Sequence, residues 1–309
     1  MTAPARNPEL EAAAFADFDD HDAWRVYADW LLSVGDPHGE LVSLDLHRRT
    51  GFLSEQRRLK SKTAELGRDF AARFAERATQ QGLDLRGVET KFKRGFLIEL
   101  DGRFAKLAPL LDTLFEQEPI QRLTLSECDG EALVEGLAAN PPWLSQLRYL
   151  KLSGEVGAAG CQALVANALP RLEGLNLLGA EIDGEACRSL VDLDTQILRG
   201  LTLTFNPIDD DALEALLEAP SRSQWRRLYL SSTQISGIGV GELCTVTGLD
   251  GLEFLALRET EAGLGDFGRM VDPAVLPGLK ILDLGSMNYW RERETYDGLH
   301  RRFGAGLKI

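Results

Sequence analysis

The chain has 309 residues, of which 44% are hydrophobic and 27% charged, and its formal net charge is −14. These are globular values, and no apolar run approaches the roughly 20 residues that span a bilayer, so we expect no membrane segment. The acidic balance argues against general binding of nucleic acids, and the first residues lack the features of a secretory signal, so we expect a cytoplasmic protein.

The first predicted element is a helix over residues 21–34, HDAWRVYADWLLSV. Trp24, Tyr27 and Leu31 recur in it at steps of three and four residues, and this spacing gives a helix one apolar face. The helix therefore has a side that must pack against other parts of the chain.

A sharp turn and a second helix are predicted to follow. Gly35 suits the left-handed position that ends a helix, Asp36 suits the N-cap of the next helix, and Pro37 suits its first turn. We expect this second helix to bury Leu41 and Leu44.

A third helix is predicted from Ser54 to about Gln81. Four apolar residues lie at helical spacing on its inner side: Leu59, Leu66, Phe70 and Phe74. Residues 1–85 are therefore predicted to be entirely helical.

Arg25 is followed by the pattern VYADWL-x(3)-GDP-x-GE, which ends at Glu40. This pattern resembles the bacterial repeat-companion domain, and the resemblance covers about residues 15–50. It implies a bacterial protein with a short module ahead of a repeat array, and it implies no activity. Because a repeat array exposes an apolar cross-section at each end, we predict that residues 1–85 are an all-α N-terminal cap module.

Asp29, His38 and Glu40 lie close together in this segment and have two interpretations. They could form a cluster for general acid–base catalysis. Alternatively, Asp29 and Glu40 make salt bridges or caps that fix the helix pair, while His38 sits on an exposed turn. We favour the second interpretation because the sequence offers His38 no nucleophile or metal partner.

The stretch HRRTGFLSEQRRLKSK, residues 47–62, is strongly basic. It could contact nucleic acid or an acidic partner. No aromatic residues for base stacking are interleaved with its charges, so a solvated helix face is the simpler interpretation. The charges are Arg48, Arg49, Arg57, Arg58, Lys60 and Lys62, against Glu55 alone.

From residue 120 onward one nine-residue template, Lxx-L-x-L-xx-(N/C/T), recurs seven times. The copies are IQRLTLSEC (120–128), LRYLKLSGE (147–155), LEGLNLLGA (172–180), LRGLTLTFN (198–206), WRRLYLSST (225–233), LEFLALRET (252–260) and LKILDLGSM (279–287). The first leucine of each LxL recurs at steps of 27, 25, 26, 27, 27 and 27 residues. Such a fixed period is the signature of a repeat protein.

Each copy is followed by apolar residues at helical spacing, as in DDDALEALLEA (209–219). The chain resembles the ribonuclease-inhibitor-like leucine-rich repeats. This resemblance implies an α/β fold, a right-handed solenoid bent into a horseshoe arc, with parallel strands on the concave face and helices on the convex face. Residues 86–309 are predicted to be this domain, with about eight repeats: KRGFLIELD (93–101) is a degenerate first copy that places Phe96 in the leucine position, and 306–309 are a truncated last copy.

The ninth template position departs from what is usual in the family, where its side chain bonds the backbone of the turn that leaves the strand. Only Asn206 and Cys128 match the family residue types. We therefore expect some turns to be satisfied differently, with a less regular curvature.

The third, fifth and seventh template positions alternate with the buried leucines and should point out of the concave face. Basic and aromatic residues form two clusters there, and small residues such as Gly174 and Gly200 lie between them, where a partner could approach the strands closely. Exposed Tyr, Phe and Arg dominate interface hot spots. The predicted partner-binding residues on this face are Arg122, Tyr149, Lys151, Asn176, Thr202, Arg227, Tyr229, Phe254 and Arg258.

Residues 288–309 are predicted to contain the C-terminal cap, with a helix near 293–302 that leads into a last strand. Their aromatic residues would cover the end of the array. Tyr289 and Trp290 could also contribute to partner binding at the lip of the concave face.

The chain lacks the P-loop, nucleophile-elbow and dinucleotide-binding motifs. Its four cysteines are widely spaced and are expected to be reduced thiols, so we expect no metal, no cofactor and no enzyme activity. The favoured hypothesis is a scaffold or adaptor that binds a protein or peptide with an acidic segment. Alternatives are an inhibitor or GTPase-activating protein that uses an arginine, and a weak nucleic-acid binder through 47–62; a small-molecule substrate is not expected.

Overall fold

The computed structural model describes residues 7–47, 53–193, 195, 197–287 and 291–309. By contacts the chain divides into two units: unit 1 is residues 1–100 and 110–120, and unit 2 is residues 101–109 and 121–309. The predicted domain boundary at residue 85 stays a prediction, since these units are defined by contacts and not by function.

Unit 1 begins with four helices and continues into two short strands and a further helix. They are α1 (Pro8–Ala16), α2 (His21–Ser33), α3 (His38–His47), α4 (Leu53–Gln80), β1 (Glu89–Lys93), β2 (Phe96–Arg103) and α6 (Leu111–Gln117). The last three residues of β2 and the short helix α5 (Phe104–Leu107) belong to unit 2. The three predicted helices are thus present as α2, α3 and α4, and α1 is a further helix that was not predicted individually. The third of the predicted helices is α4, whose Phe70 and Phe74 are buried.

The turn between α2 and α3 follows the sequence prediction closely. Gly35 adopts a φ of +74°, and the Asp36 amide donates to the Leu31 carbonyl at 2.8 Å, as in a Schellman motif. The Asp36 side chain caps α3 by accepting from the His38 amide at 2.9 Å. One detail was wrong: Leu44 is only half-buried, and α3 buries Val42 and Leu46 besides the predicted Leu41.

The core of unit 1 is aromatic. Phe15, Trp24 and Tyr27 are buried and meet one another edge-on at centroid distances of 5.1 to 6.0 Å. Phe96, the first residue of β2, completes this cluster at 5.2 Å from Phe15. Trp24 and Tyr27 are therefore core residues and not surface binding groups.

The predicted first repeat, residues 93–101, contains the strand β2 but departs from the template at its start. Arg94 and Gly95 both have positive φ, +55° and +85°, and form a two-residue turn between neighbouring strands β1 and β2. Phe96 and Leu97 are both buried, whereas the template would bury only alternate residues. The leucine-like spacing of Phe96 reflects its place in the unit 1 core.

Unit 2 is built on a parallel sheet whose strands follow sequence order. They are β3 (Arg122–Asp129), β4 (Tyr149–Glu155), β5 (Gly174–Asn176), β6 (Gly200–Thr202), β7 (Arg227–Tyr229), β8 (Phe254–Ala256), β9 (Ile281–Asp283) and β10 (Leu307–Lys308). The register aligns the first LxL leucines from Leu123 through to Leu282, and Leu307 continues the row. The seven template copies thus each contribute a strand to one sheet, in constant register, and residues 307–308 add a last strand.

A helix follows almost every strand, as the periodicity predicts. These helices are α7 (Gly130–Leu137), α8 (Gly157–Val165), α9 (Gly184–Leu190), α10 (Asp210–Leu217), α11 (Gly237–Leu243) and α12 (Arg293–Phe303). After β8 the chain forms a 3-10 helix, Leu264–Val271, in place of an α-helix.

Asp side chains begin three of these helices, because each accepts a hydrogen bond from the amide three residues on. Asp129, Asp183 and Asp209 do so at 2.9 Å. Helix α12 confirms the helix predicted near residues 293–302, and Arg302 in it donates to four carbonyls of the preceding segment, including Val275 at 2.7 Å.

The turns that leave the strands share a backbone conformation. The eighth template position has positive φ in six repeats, and four of these residues are not glycine: Glu127, Phe205, Ser232 and Glu259. At the ninth position Cys128, Asn206, Thr233 and Thr260 each donate a side-chain hydrogen bond to the carbonyl three residues earlier. Cysteine and threonine thus make the same hydrogen bond at this position as asparagine does.

Candidate partner-binding face

The face of the unit 2 sheet that is turned away from the buried leucines is the candidate site. Residues 123, 125 and their equivalents are buried in all seven template copies, so the third and fifth positions point to the other side. We call this surface the open face. It carries all nine partner-binding residues predicted between 122 and 258, although the predicted role of these residues stays untested.

The first basic and aromatic cluster stacks over a glycine. The Arg122 guanidinium lies 3.8 Å from the centre of the Tyr149 ring, within cation–π range. The same ring covers Gly174 on the next strand, where an added Cβ would lie 2.6 Å from a ring carbon. Gly174 is therefore the residue type that lets Tyr149 lie flat on the sheet.

Gly200 is covered in a similar way from the other side. The guanidinium of Arg227 lies about 3.8 Å from the Cβ position of Gly200. The expectation that the two small residues leave the middle of the sheet open to a partner was wrong, because neighbouring side chains lean over both of them. A partner would meet Tyr149 and Arg227 there and not bare backbone.

The second cluster is aromatic at its centre. The rings of Tyr229 and Phe254 lie 4.7 Å apart with an interplanar angle of 34°. Lys308 of the last strand places its Nζ 5.5 Å from the centre of the Phe254 ring. Both rings are only half-buried, so part of each stays available for contact.

Arg258 does not project freely. Its Nε donates to Asp283 Oδ1 at 2.6 Å, and the hydrogen bond and charge of Asp283 raise the pKa of Arg258. Asp283 itself is buried. This fixed pairing disfavours the use of Arg258 as a mobile arginine that enters another enzyme's active site.

The open face has an excess of positive charge. Asp283 is the one carboxylate at the third, fifth and seventh positions of the seven template copies, and Arg258 pairs with it. Lys151 and Arg227 make no side-chain hydrogen bond or ion pair with any residue that the structure describes. The cationic side chains of the face are Arg122, Lys151, Arg227, Arg258 and Lys308.

The remaining predicted site residues are less conspicuous. The Asn176 Oδ1 accepts a hydrogen bond from the Leu178 amide at 3.0 Å, and this bond shapes the turn after β5. Thr202 is half-buried at the centre of β6. Tyr289 and Trp290 lie outside the described residues.

Three exposed or charged residues of this region escaped the sequence prediction. Lys308 belongs to the short last strand, and the register that places it beside Asp283 was the available signal. Arg199 and Phe205 flank β6 at template positions that were not considered, because only alternating positions were expected to face outward. A cleft of about 580 Å³ also lies beside β10, lined by Arg258, Thr260, Gly285, Leu307, Lys308 and neighbouring residues.

The residues of the possible catalytic cluster in unit 1 are spread among structural roles. Glu40 makes a salt bridge with Lys62 at 2.7 Å, as expected, but it joins α3 to α4 and not α2 to α3. Asp29 is exposed and has no side-chain partner among the described residues. The exposed position predicted for His38 was wrong: its ring is stacked between Phe70 and Phe96, at 4.0 and 4.6 Å.

His38 Nδ1 also lies 2.7 Å from Asp36 Oδ1, and both side chains are largely buried. Aromatic packing and the N-cap account for this pair without any chemistry. In the basic stretch, Arg57, Arg58 and Lys60 are exposed on α4 and Lys62 is paired, while Arg48 and Arg49 lie outside the described residues.

The four cysteines are free thiols, and Cys128, Cys161 and Cys187 are buried. Burial raises the pKa of Cys161 and of Cys187 to about 12, so both thiols are protonated at neutral pH. No group of three His, Cys, Asp or Glu side chains in the described ranges is arranged to hold a metal ion. Within those ranges, no helix combines the length and apolar character needed to cross a membrane.

Comparison with known proteins adds little to this description. No family model and no curated protein matches the chain. Solved structures that match include the internalin InlF from Listeria monocytogenes, with 16% sequence identity over 60% of this chain and a TM-score of 0.36. The matched part is 59% of the length of that internalin. A TM-score this low carries no argument about function.

Proposed function

We propose that this chain is a non-catalytic interaction module, a scaffold or adaptor, whose open face binds a protein or peptide with an acidic segment. The observation that carries the proposal is the charge of that face. Five cationic side chains and three aromatic rings surround one paired carboxylate, on a chain whose net charge is −14. A surface whose sign opposes that of the whole molecule favours a partner of complementary charge.

The finer features of the fold belong to the same proposal. The repeats would form a right-handed solenoid of the ribonuclease-inhibitor-like type, with the open face as its concave side. Residues 1–85 would be a repeat-companion module that acts as the N-terminal cap, and part of 288–309 would cover the last repeat. Solenoids of this kind offer an extended surface for a partner.

An affinity pull-down from the native lysate tests the proposal, with two triple variants of equal charge change. The test variant is Arg122→Glu, Lys151→Glu and Arg227→Glu on the open face. The control is Arg57→Glu, Arg58→Glu and Lys60→Glu on α4. We expect the test variant to lose a partner that the wild type and the control retain.

The same pair of variants separates the alternatives. Partners retained equally by all three proteins would overturn the open-face proposal. Nucleic acid that is captured by the wild type and lost by the α4 variant, with a steep dependence on salt, would support the nucleic-acid hypothesis instead. Each variant must show the thermal midpoint of the wild type, so that the loss of a partner is not a loss of fold.

A further inference from the structure

Two exposed apolar side chains lie on neighbouring turns, where β5 and β6 end. Phe205 is 61% exposed and Leu178 36%. The Gly179 amide donates to the Thr204 carbonyl at 3.0 Å, so the backbone at Leu178 runs next to the backbone at Phe205. Together they form an apolar spot at the carboxyl ends of the central strands.

Phe205 is an unexpected residue at its position. Its φ of +60° is imposed by the turn, since Ser232 and Glu259 adopt the same conformation in other repeats. A glycine or asparagine would adopt it with less strain, and a polar side chain would be better hydrated. Gly179 and Ser232 flank Phe205 in the same row, so its ring has no large neighbour there. Phe205 therefore adds backbone strain and an exposed apolar surface, and the fold itself does not require a phenylalanine at this position.

Two unpaired arginines lie at the opposite ends of the central strands. Arg199 and Arg227 are exposed, and neither side chain forms a hydrogen bond or ion pair with the described residues. Their strands are adjacent, because the Arg227 amide donates to the Arg199 carbonyl at 2.9 Å. The nearby carboxylates are already engaged: Glu173 pairs with Arg148, and Glu253 with Lys280 at 2.9 Å.

The distance between the two arginines and the apolar spot sets the spacing that a partner must match. From Gly200, which Arg227 covers, to Phe205 the chain advances five residues. Only Gly200–Thr202 are strand and Phe205 lies in the turn, so at roughly 3.3 Å per strand residue the span is at most about 16 Å. Arg199 and Arg227 thus lie at one end of this span and the apolar spot of Leu178 and Phe205 at the other.

We propose that the partner is an extended protein segment that runs along β6 and binds at both ends of this span. Acidic side chains would pair with Arg199 and Arg227, and one large apolar side chain, about five residues away, would pack on Leu178 and Phe205. This inference rests on the proposed function and specifies what the acidic segment must look like. Nucleic acid fits less well, because single strands are bound by stacking successive bases on several aromatic rings, and this spot offers one ring beside an aliphatic side chain.

The test uses dodecapeptides of random sequence displayed on phage and selected against the full chain, followed by synthesis of the selected peptides. We expect selected peptides to contain Asp or Glu and, about five residues away, Leu, Ile, Phe or Trp. In fluorescence anisotropy, Phe205→Ser should weaken binding about 10-fold, and Arg199→Glu with Arg227→Glu at least as much.

Two matched controls lie away from the open face. Ile238→Ser removes an apolar side chain of α11 that is 69% exposed, and Arg68→Glu reverses an exposed charge on α4. Each should change the affinity by less than about twofold. Phe205→Ser should fold normally, because it removes an exposed side chain and puts in the residue found at Ser232.

The outcomes distinguish this inference from the proposed function. Acidic peptides that need the two arginines but bind Phe205→Ser as tightly as wild type, or that show no fixed spacing, would overturn the two-point inference alone. Peptides without acidic residues, or no peptide above the background of the arginine double variant, would overturn both. A 20-nucleotide single-stranded DNA that binds and is lost on Phe205→Ser would replace the protein partner.

Discussion

Asn206 connects two repeats through its side chain. Its Oδ1 accepts from the amides of Ala180 and Ile182, both at 3.0 Å, and its Nδ2 donates to the carbonyls of Leu177 and Leu203 at 2.7 and 2.8 Å. The side chain is buried, so water cannot replace these bonds. Asn206 therefore bonds the backbone amides and carbonyl of the turn in the preceding repeat. The ninth residue of that repeat, Ala180, has no polar side chain that could do so.

Asn206→Ala should lower the free energy of unfolding by about 3 kcal/mol, because several buried backbone groups lose their partners at once. Thr233→Val, at the equivalent position of the next repeat, removes one bond to the Leu230 carbonyl and should cost about 1 kcal/mol. Urea unfolding of both variants measures the difference. Equal losses would show that Asn206 does no more than bond within its own turn.

Residue-scale prediction from sequence succeeded where a local geometry selects the residue type, as at Gly35 and Asp36. It failed at His38, because no local pattern shows that Phe70 and Phe96, far away in sequence, provide a pocket for its ring. It also failed at Gly174, where the side chain that occupies the free space belongs to Tyr149 on the neighbouring strand. The missing information in both cases was a contact between distant residues.

At the scale of elements, helix α4 is joined to the segment after α6 by an ion pair. Arg77 Nη2 donates to Glu118 Oε1, and Glu118 Oε2 accepts from the Leu97 amide at 3.2 Å. Burial raises the pKa of Glu118, and the charge and hydrogen bond of Arg77 act in the opposite direction. Arg77 thus compensates for the cost of burying a carboxylate.

Arg77→Met should lower the free energy of unfolding by about 3 kcal/mol at neutral pH, because it leaves Glu118 buried without its counter-charge. The variant raises the folded-state pKa of Glu118 further above the unfolded value near 4.3. A carboxyl group whose pKa is higher in the folded state than in the unfolded state stabilises the fold when the group is protonated. The loss of unfolding free energy in Arg77→Met should therefore be largest above the folded-state pKa of Glu118. It should shrink as the pH falls toward the unfolded-state pKa.

Urea unfolding at about pH 7 and pH 5 measures this effect. Arg73→Met, one turn earlier on α4, is the matched control: Arg73 is exposed and lies over the Phe70 ring at 5.6 Å. Its cost should be below about 0.5 kcal/mol and independent of pH. A loss for Arg77→Met that is the same at both pH values would contradict the role assigned to Glu118.

The periodicity predicted the strands of unit 2 and most of its helices, because each repeat buries leucines at equivalent positions against its neighbours. It could not predict the β1–β2 hairpin. Residues 93–101 contain apolar residues at the right step, but Arg94 and Gly95 together adopt the left-handed conformation that reverses the chain. A single degenerate copy does not reveal whether its apolar residues serve the repeat core or another core.

On the scale of the whole of unit 2, the constant register implies that repeats can be removed in phase. Deletion of residues 229–255, a stretch of 27 residues, joins Leu228 to Ala256 and restores an LxL pattern between Leu201 and Leu282. Stacked repeats contact their neighbours, so the shortened array should still fold, at a lower thermal midpoint. Circular dichroism and thermal unfolding check this expectation.

Deletion of residues 229–249 is the control, because its 21 residues remove fewer amino acids but break the phase of the leucines. This variant should lose cooperative unfolding. If the in-phase deletion also unfolds without a cooperative transition, the repeats are not equivalent units, and special contacts such as those of Asn206 or Arg302 govern the stability of the array.

The stacking of Tyr149 over Gly174 has a consequence for how the open face could change in evolution. Most outward positions of a parallel sheet can accept new side chains one at a time, since the buried leucines hold the strands in place. Position 174 cannot, because any Cβ there meets the ring. A new specificity in this part of the surface would require the tyrosine to change first, so the order of mutations is constrained even though neither residue supports the core.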